Sequence, residues 1–161
     1  MAKAAKPVPD GYHTITASLT LDDAARTIEW YKKALGAEEV HRSVGPDGKI
    51  MHAELKIGDS RFMMNDVMEG VKGPKSFGGS PASLYLYVND ADALFKRAVG
   101  EGGAEIRVPL DDQFWGDRGG AVGDPEGYTW WIASRVEELT PAEMQQRAAE
   151  FFKQMAQAAQ T

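Results

Sequence analysis

The chain has 161 residues, no cysteine and a formal net charge of -6, a size that holds one domain or two small halves sharing a core. The charge argues against a nucleic-acid or anionic-membrane partner, which needs a basic footprint, and the missing cysteines remove disulfides, thiolate metal ligands and thiol nucleophiles together. No apolar run approaches the ~18 residues of a spanning helix, and residues 1–11 carry lysines with no apolar stretch behind them, so they read as a flexible arm rather than a signal peptide, with the cytoplasm as the default compartment.

From Tyr12 to Leu21 apolar and hydroxyl residues alternate. The pattern predicts a strand that turns Ile15, Ala17, Leu19 and Leu21 toward a helix and Thr14, Thr16, Ser18 and Thr20 to the other face. Asp22 or Asp23 caps the helix that follows, Ala24, Ile28 and Tyr31 fall at helical spacing, and Gly36 ends it. Strands are predicted over roughly 38–43, 50–57 and 61–65, with turn chemistry at Gly45-Pro46-Asp47-Gly48 and Gly58-Asp59. A linker rich in Gly, Lys and Pro covers 68–81. Then come a strand at 83–88, a helix at 91–99, a strand near 105–108, a loop LDDQFWGDRGG at 110–120, a turn at Asp124-Pro125-Glu126-Gly127 and a last strand at 128–134. Thr140-Pro141-Ala142-Glu143 has the signature of a capping box with proline at the first helical position. The helix it opens, within 137–161, carries an apolar stripe of Met144, Phe151, Phe152 and Met155, predicted to pack on its own domain or on a dimer partner rather than on a membrane.

The chain says one thing twice. Shifted by 67 positions, Leu21–Glu38 falls on Val88–Glu105 with Asp23/Asp90, Ala24/Ala91, Gly36/Gly103, Ala37/Ala104 and Glu38/Glu105 identical. Each copy reads as strand, acidic corner, amphipathic helix and glycine stop, so the expectation is an α+β chain of two tandem βαβββ modules, 12–67 and 82–136, plus a C-terminal helix.

Asp23, Thr27, Ile28, Trp30, Tyr31, Leu35 and Gly36 fit the pattern Asp-x-x-x-[Ser/Thr]-Ile-x-[Phe/Trp]-Tyr-x-x-x-Leu-Gly, and Asp124-Pro125-x-Gly127-Tyr128 precedes the last strand. In these residues the chain resembles the vicinal oxygen chelate superfamily, which includes glyoxalase I, bleomycin-resistance proteins and extradiol dioxygenases. The segments VPDGYHTITASL, HAELKIGDS and DQFWGDR are most similar to its PhnB-like, glyoxalase-type branch. The resemblance implies mixed sheets curled around a cavity with helices outside, a homodimer, and, in metal-dependent members, one ligand from the first and one from the fourth strand of each module. Those positions here are Thr16 and Ser83 on the first strands, and Met64, give or take one residue, and Trp131 on the fourth. None is a histidine or carboxylate, and such a set does not hold a divalent ion, so no cofactor is expected.

The polar strand face of His52 and Glu54 is the alternative place for one divalent ion such as Zn, Ni, Mn or Fe, and those two residues are the candidates for acid-base catalysis, with Tyr85 or Tyr87 as proton donors. A cross-strand ion pair is the structural reading of the same residues. If Thr16 faces the cavity, Ser83, Tyr85, Tyr87, Met64 and Trp131 line it too, a surface of hydroxyls and rings suited to a mostly apolar or aromatic small molecule. One of Trp130 and Trp131 must point away. In the loop, Trp115 and Phe114 are placed to close over a flat ligand, Arg118 to hold an anionic oxygen or stack, and Gln113 or Asp117 to orient it; an Asp117–Arg118 structural pair with Trp115 plugging one end of the fold is the competing reading. Whether the protein is an enzyme stays open on the sequence, between a metal-free binding protein and a metal-dependent lyase, isomerase or dioxygenase.

Overall fold

In the computed structural model, which describes residues 6–159, the two halves fold as two copies of one unit. The first comprises β1 (Ser18–Leu21), α1 (Ala24–Leu35), β2 (Glu38–Val44), β3 (Ile50–Ile57) and β4 (Ser60–Asp66). The second comprises β5 (Ser83–Tyr87), α2 (Ala91–Gly100), β6 (Glu105–Asp112), β7 (Asp117–Gly123) and β8 (Thr129–Arg135), followed by α3 (Pro141–Ala158). The sheets run β1-β4-β3-β2 and β5-β8-β7-β6. In each, the first strand pairs in parallel with the fourth and the other pairs are antiparallel. Residues 1–5 of the expected N-terminal arm lie outside the described residues.

The repeat extends to single hydrogen bonds. Asp23 caps α1 by accepting from the Arg26 amide at 3.0 Å, and Asp90 caps α2 by accepting from the Ala93 amide at 2.9 Å. Trp30 and Arg97 are equivalent across the shift, and each donates to the C-terminal turn of the other helix: Trp30 Nε1 to the Gly102 carbonyl at 2.8 Å, Arg97 Nε to the Lys33 carbonyl at 2.7 Å. The helices therefore pack on each other about a local twofold. The contact is close enough at Gly102 that a Cβ would stand 2.5 Å from the Ala34 Cβ and 2.6 Å from the Ala98 carbonyl oxygen.

The junction between modules is sealed by the turn at 124–127. Asp124 is buried and accepts four hydrogen bonds: from Tyr31 Oη at 2.7 Å, Trp130 Nε1 at 3.0 Å, and the amides of Glu126 and Tyr128 at 2.9 Å each. Burial, and then the Asp124 carboxylate, push the Tyr31 hydroxyl well above its ordinary value. Glu126, also buried, reaches across to the start of α1, accepting from the Asp22 amide at 2.8 Å and Thr27 Oγ1 at 3.2 Å, and pairs with Lys75 at 3.2 Å. Around these carboxylates Tyr31, Phe62 and Trp130 meet with centroids 5.2–5.7 Å apart. The apolar core is one cluster running through both modules, from Leu19 and Ile28 to Phe95 and Ile132.

Three sequence expectations are corrected. β1 spans only Ser18–Leu21, not Tyr12–Leu21. Its partner explains this: Ser18 aligns with Met63, so a residue near Ile15 would meet the first residue of β4 and the strand has nothing further to pair with. Thr16 instead donates to the His13 carbonyl at 3.0 Å in a local turn, and Ile15, expected in the core, is 91% exposed. The expected loop at 110–120 is mostly strand, because β6 continues to Asp112 and β7 begins at Asp117. Met64 lies in the hydrophobic core, since alternation along β4 sends Phe62, Met64 and Asp66 inward and Arg61, Met63 and Asn65 to the opposite face.

Candidate functional site

Alternation along β5 puts Ser83, Tyr85 and Tyr87 on the sheet face away from α2, and the parallel register sets Tyr85 beside Trp131 of β8. Their rings stack 5.7 Å apart at 11°. Tyr87 adds a third ring 5.1 Å from Tyr85. The turn at 113–116 folds Trp115 back onto this face, 6.0 Å from Trp131 and nearly edge-on. Tyr85 and Tyr87 remain 40% and 59% exposed, so the rings form an open wall.

Behind the wall sits Asp117, fully buried. Its Oδ2 accepts from Tyr85 Oη at 2.8 Å, Tyr87 Oη at 2.9 Å and Trp115 Nε1 at 2.9 Å. Its Oδ1 lies 3.1 Å from Arg135 Nε in an ion pair but meets no donor in hydrogen-bond alignment. Arg135 Nη1 in turn donates to the Trp115 carbonyl at 2.8 Å. Four side chains are thus locked around one carboxylate, which the sequence offered as a ligand orienter or as the partner of Arg118 and not as the hub of the rings. The pairing of Asp117 with Arg135 depends on the β7–β8 register, and no local spacing announces it.

Burial, with Asp117 adding to it, pushes the Tyr85 hydroxyl up to about 12 from an ordinary 10.0, and burial raises Tyr87 in the same direction. Both phenols are therefore neutral donors at physiological pH. Because the folded value exceeds the unfolded one, the stability this group contributes is intact below pH 10.0 and is lost as pH rises toward about 12. Titration of phenolate absorbance is expected to show one step removed in Tyr85→Phe near pH 12; a lost step near pH 10 would contradict this environment.

The other expected residues lie elsewhere. Gln113 Nε2 donates to the Gly119 carbonyl at 2.9 Å and so ties the turn together instead of facing a ligand. Arg118 projects to the opposite face, because adjacent strand residues alternate. There it forms a fork with Asp92 at 2.6 and 2.7 Å and a third bond to Asp112 at 3.1 Å, and the Asp92 carboxylate, with Asp112, holds it above its ordinary value. The Asp117–Arg118 pair is likewise replaced by Asp117–Arg135. Thr16 is in a turn before β1. Phe114 leads from Trp115 to α3, meeting Phe151 at 5.0 Å and Phe152 at 6.2 Å.

On the first module, His52 Nε2 lies 3.2 Å from Glu54 Oε1, and Arg61 Nη1 lies 3.5 Å from Glu54 Oε2. Tyr12 is half-buried beside Glu54, with its hydroxyl oxygen buried but short of hydrogen-bond alignment. The adjacent phenol, together with His52, holds the Glu54 carboxyl below the usual carboxylate range, which keeps it ionised rather than poised as an acid. This donor set does not fit a divalent ion. The carboxylate is already paired with a guanidinium, and among the described residues no group of three His, Asp or Glu side chains converges.

Between the modules a cleft of about 790 Å³ runs past Ile15, Ala17, Phe62, Leu84, Leu86 and Trp130, and its rim includes Tyr85 and Tyr87. The wall and the cleft therefore share these two tyrosines. His52 and Glu54 line neither.

A family model described as the glyoxalase/bleomycin resistance protein/dioxygenase superfamily matches residues 12–132. The chain belongs to that superfamily. Within it, an uncharacterised protein of Mycobacterium tuberculosis is 43% identical over 132 residues, covering 79% of this chain and 77% of its own. Among solved structures, TioX from Micromonospora sp. ML1 superimposes with a TM-score of 0.62 at 27% identity, over 80% of this chain and 100% of that one. A PhnB protein from Bacillus cereus superimposes with a TM-score of 0.57 at 20% identity, over 76% and 99%, and shares the fold. No described helix of this superfamily member is long and apolar enough to cross a membrane.

Proposed function

We propose that this superfamily member binds a small, flat, mostly apolar or aromatic molecule against the ring wall of Tyr85, Tyr87, Trp115 and Trp131, without a metal ion. One observation carries the reading: three of the four rings are held in place by a buried carboxylate while two of them stay substantially exposed. Core aromatics bury their faces, whereas a prearranged, solvent-facing stack loses little entropy when a ring settles on it. The cleft on the other face of β5 touches the same two tyrosines at its edge and has the volume of a small-molecule site.

A metal-dependent reaction at His52 and Glu54 lacks a third donor and has Arg61 beside the carboxylate it would need. Thermal-shift screening against flat aromatic compounds, with and without EDTA, separates the readings. Stabilisation that EDTA leaves unchanged is expected. A shift that EDTA abolishes, or no compound that stabilises the protein, would overturn the proposal.

A further inference from the structure

The fold contains two buried aspartates with aromatic partners. Asp124 is enclosed in the junction between modules, where its four hydrogen bonds hold a packed core together. Asp117 stands behind rings that reach solvent, and this difference needs a reason. A carboxylate buried merely to tie down a turn leaves its oxygens to backbone amides, as Asp66 does with the amides of Ala24 and Ile50 at 2.7 Å each. Asp117 Oδ2 instead takes three side-chain donors, every one attached to an aromatic ring of the wall.

We propose that Asp117 is a positioning residue that sets the orientation of the ring wall and makes it select a flat organic cation over a flat anion of the same outline. The inference rests on the reading of the wall as a binding surface and names the charge class that surface takes. Two steps carry it. Three hydrogen bonds to one oxygen fix the rotation of Tyr85, Tyr87 and Trp115, so the stack exists before a ligand arrives. In addition, a phenol that donates to a carboxylate gains electron density in its ring, and the negative face of such a ring attracts a cation more strongly.

Arg135 works the other way. Among the described residues, the charged groups bonded or ion-paired in this cluster are Asp117 and Arg135, one of each sign. With the carboxylate present the guanidinium is compensated at 3.1 Å and the ring faces decide the preference. Without it the wall carries an unpaired cation.

Isothermal titration calorimetry with two three-ring probes, N-methylacridinium and acridine carboxylate, tests this. The wild-type protein is expected to bind the cation ~10-fold or more tightly than the anion. In Asp117→Asn the order is expected to reverse, because Arg135 is then uncompensated. The Tyr85→Phe/Tyr87→Phe double variant keeps the rings but cuts them from the carboxylate, and is expected to lose the cation preference while still binding the anion. It serves as the test if the Asn variant does not fold. Equal or reversed affinities in the wild type, or an unchanged ratio in either folded variant, would overturn the selectivity and leave the wall as a binding surface. Failure of both probes to bind the wild type would overturn the wall itself.

Discussion

Trp130→Ala and Trp131→Ala, one residue apart, are expected to have opposite phenotypes. Trp130 is 1% exposed and packs against Tyr31 and Phe62 at the junction of the modules. Truncating it opens a cavity that two modules share, which costs about 3–5 kcal/mol. It also strips Asp124 of one of its donors. Trp131 lies on the other face of the same strand, stacked on Tyr85 and only half-buried. Its truncation is expected to cost stability far less and to weaken binding of a flat aromatic ligand by ~10-fold or more. Urea denaturation of both variants, with binding titrations of the folded one, checks this. Comparable destabilisation by the two substitutions would mean that Trp131 is core and that the wall is not a site.

For Asp124→Ala the expected loss is about 3 kcal/mol or more, because the buried Tyr31 hydroxyl, the Trp130 indole and two amides lose their acceptor together. Asp124→Asn keeps the shape and is expected to fall between wild type and alanine. Its carbonyl oxygen still serves the two amides, and Tyr31 can turn to accept from the new NH2. The Trp130 N–H, which is a donor only, is then left facing another donor. The order wild type, Asn, Ala in denaturation midpoint is the measurable claim. An alanine variant as stable as wild type would show that the turn at 124–127 does not hold the modules together. The position matters because this turn and the α1–α2 contact bridge the two halves, alongside the apolar core they share.

Much of this was legible from local pattern. The glycine at 36, the aspartates at 23 and 90 and the capping box at Thr140 act within a few residues of themselves, and they stand where spacing put them. Strand alternation also placed Tyr85, Tyr87 and Trp131 on one face. It failed for Met64 because a one-residue shift in register exchanges the faces of a strand, and Met63 and Met64 are indistinguishable by type. It failed for Thr16 because a strand exists only as far as its neighbour extends, and β4 begins at Ser60. Arg118 was misplaced for a related reason: read as loop, its side chain could point anywhere, whereas on β7 its direction is set by Asp117 beside it.

Local chemistry in the sequence was therefore enough for the duplicated βαβββ plan and the helix ends, because each depends on residue type at short range. Tertiary structure alone decided which carboxylates are hubs. Asp117 meets Tyr85 and Tyr87 across some thirty positions of chain, and Asp124 meets Tyr31 across 93. A buried carboxylate is tolerable only where donors converge on it in space, and that convergence is a property of the folded sheets rather than of any segment.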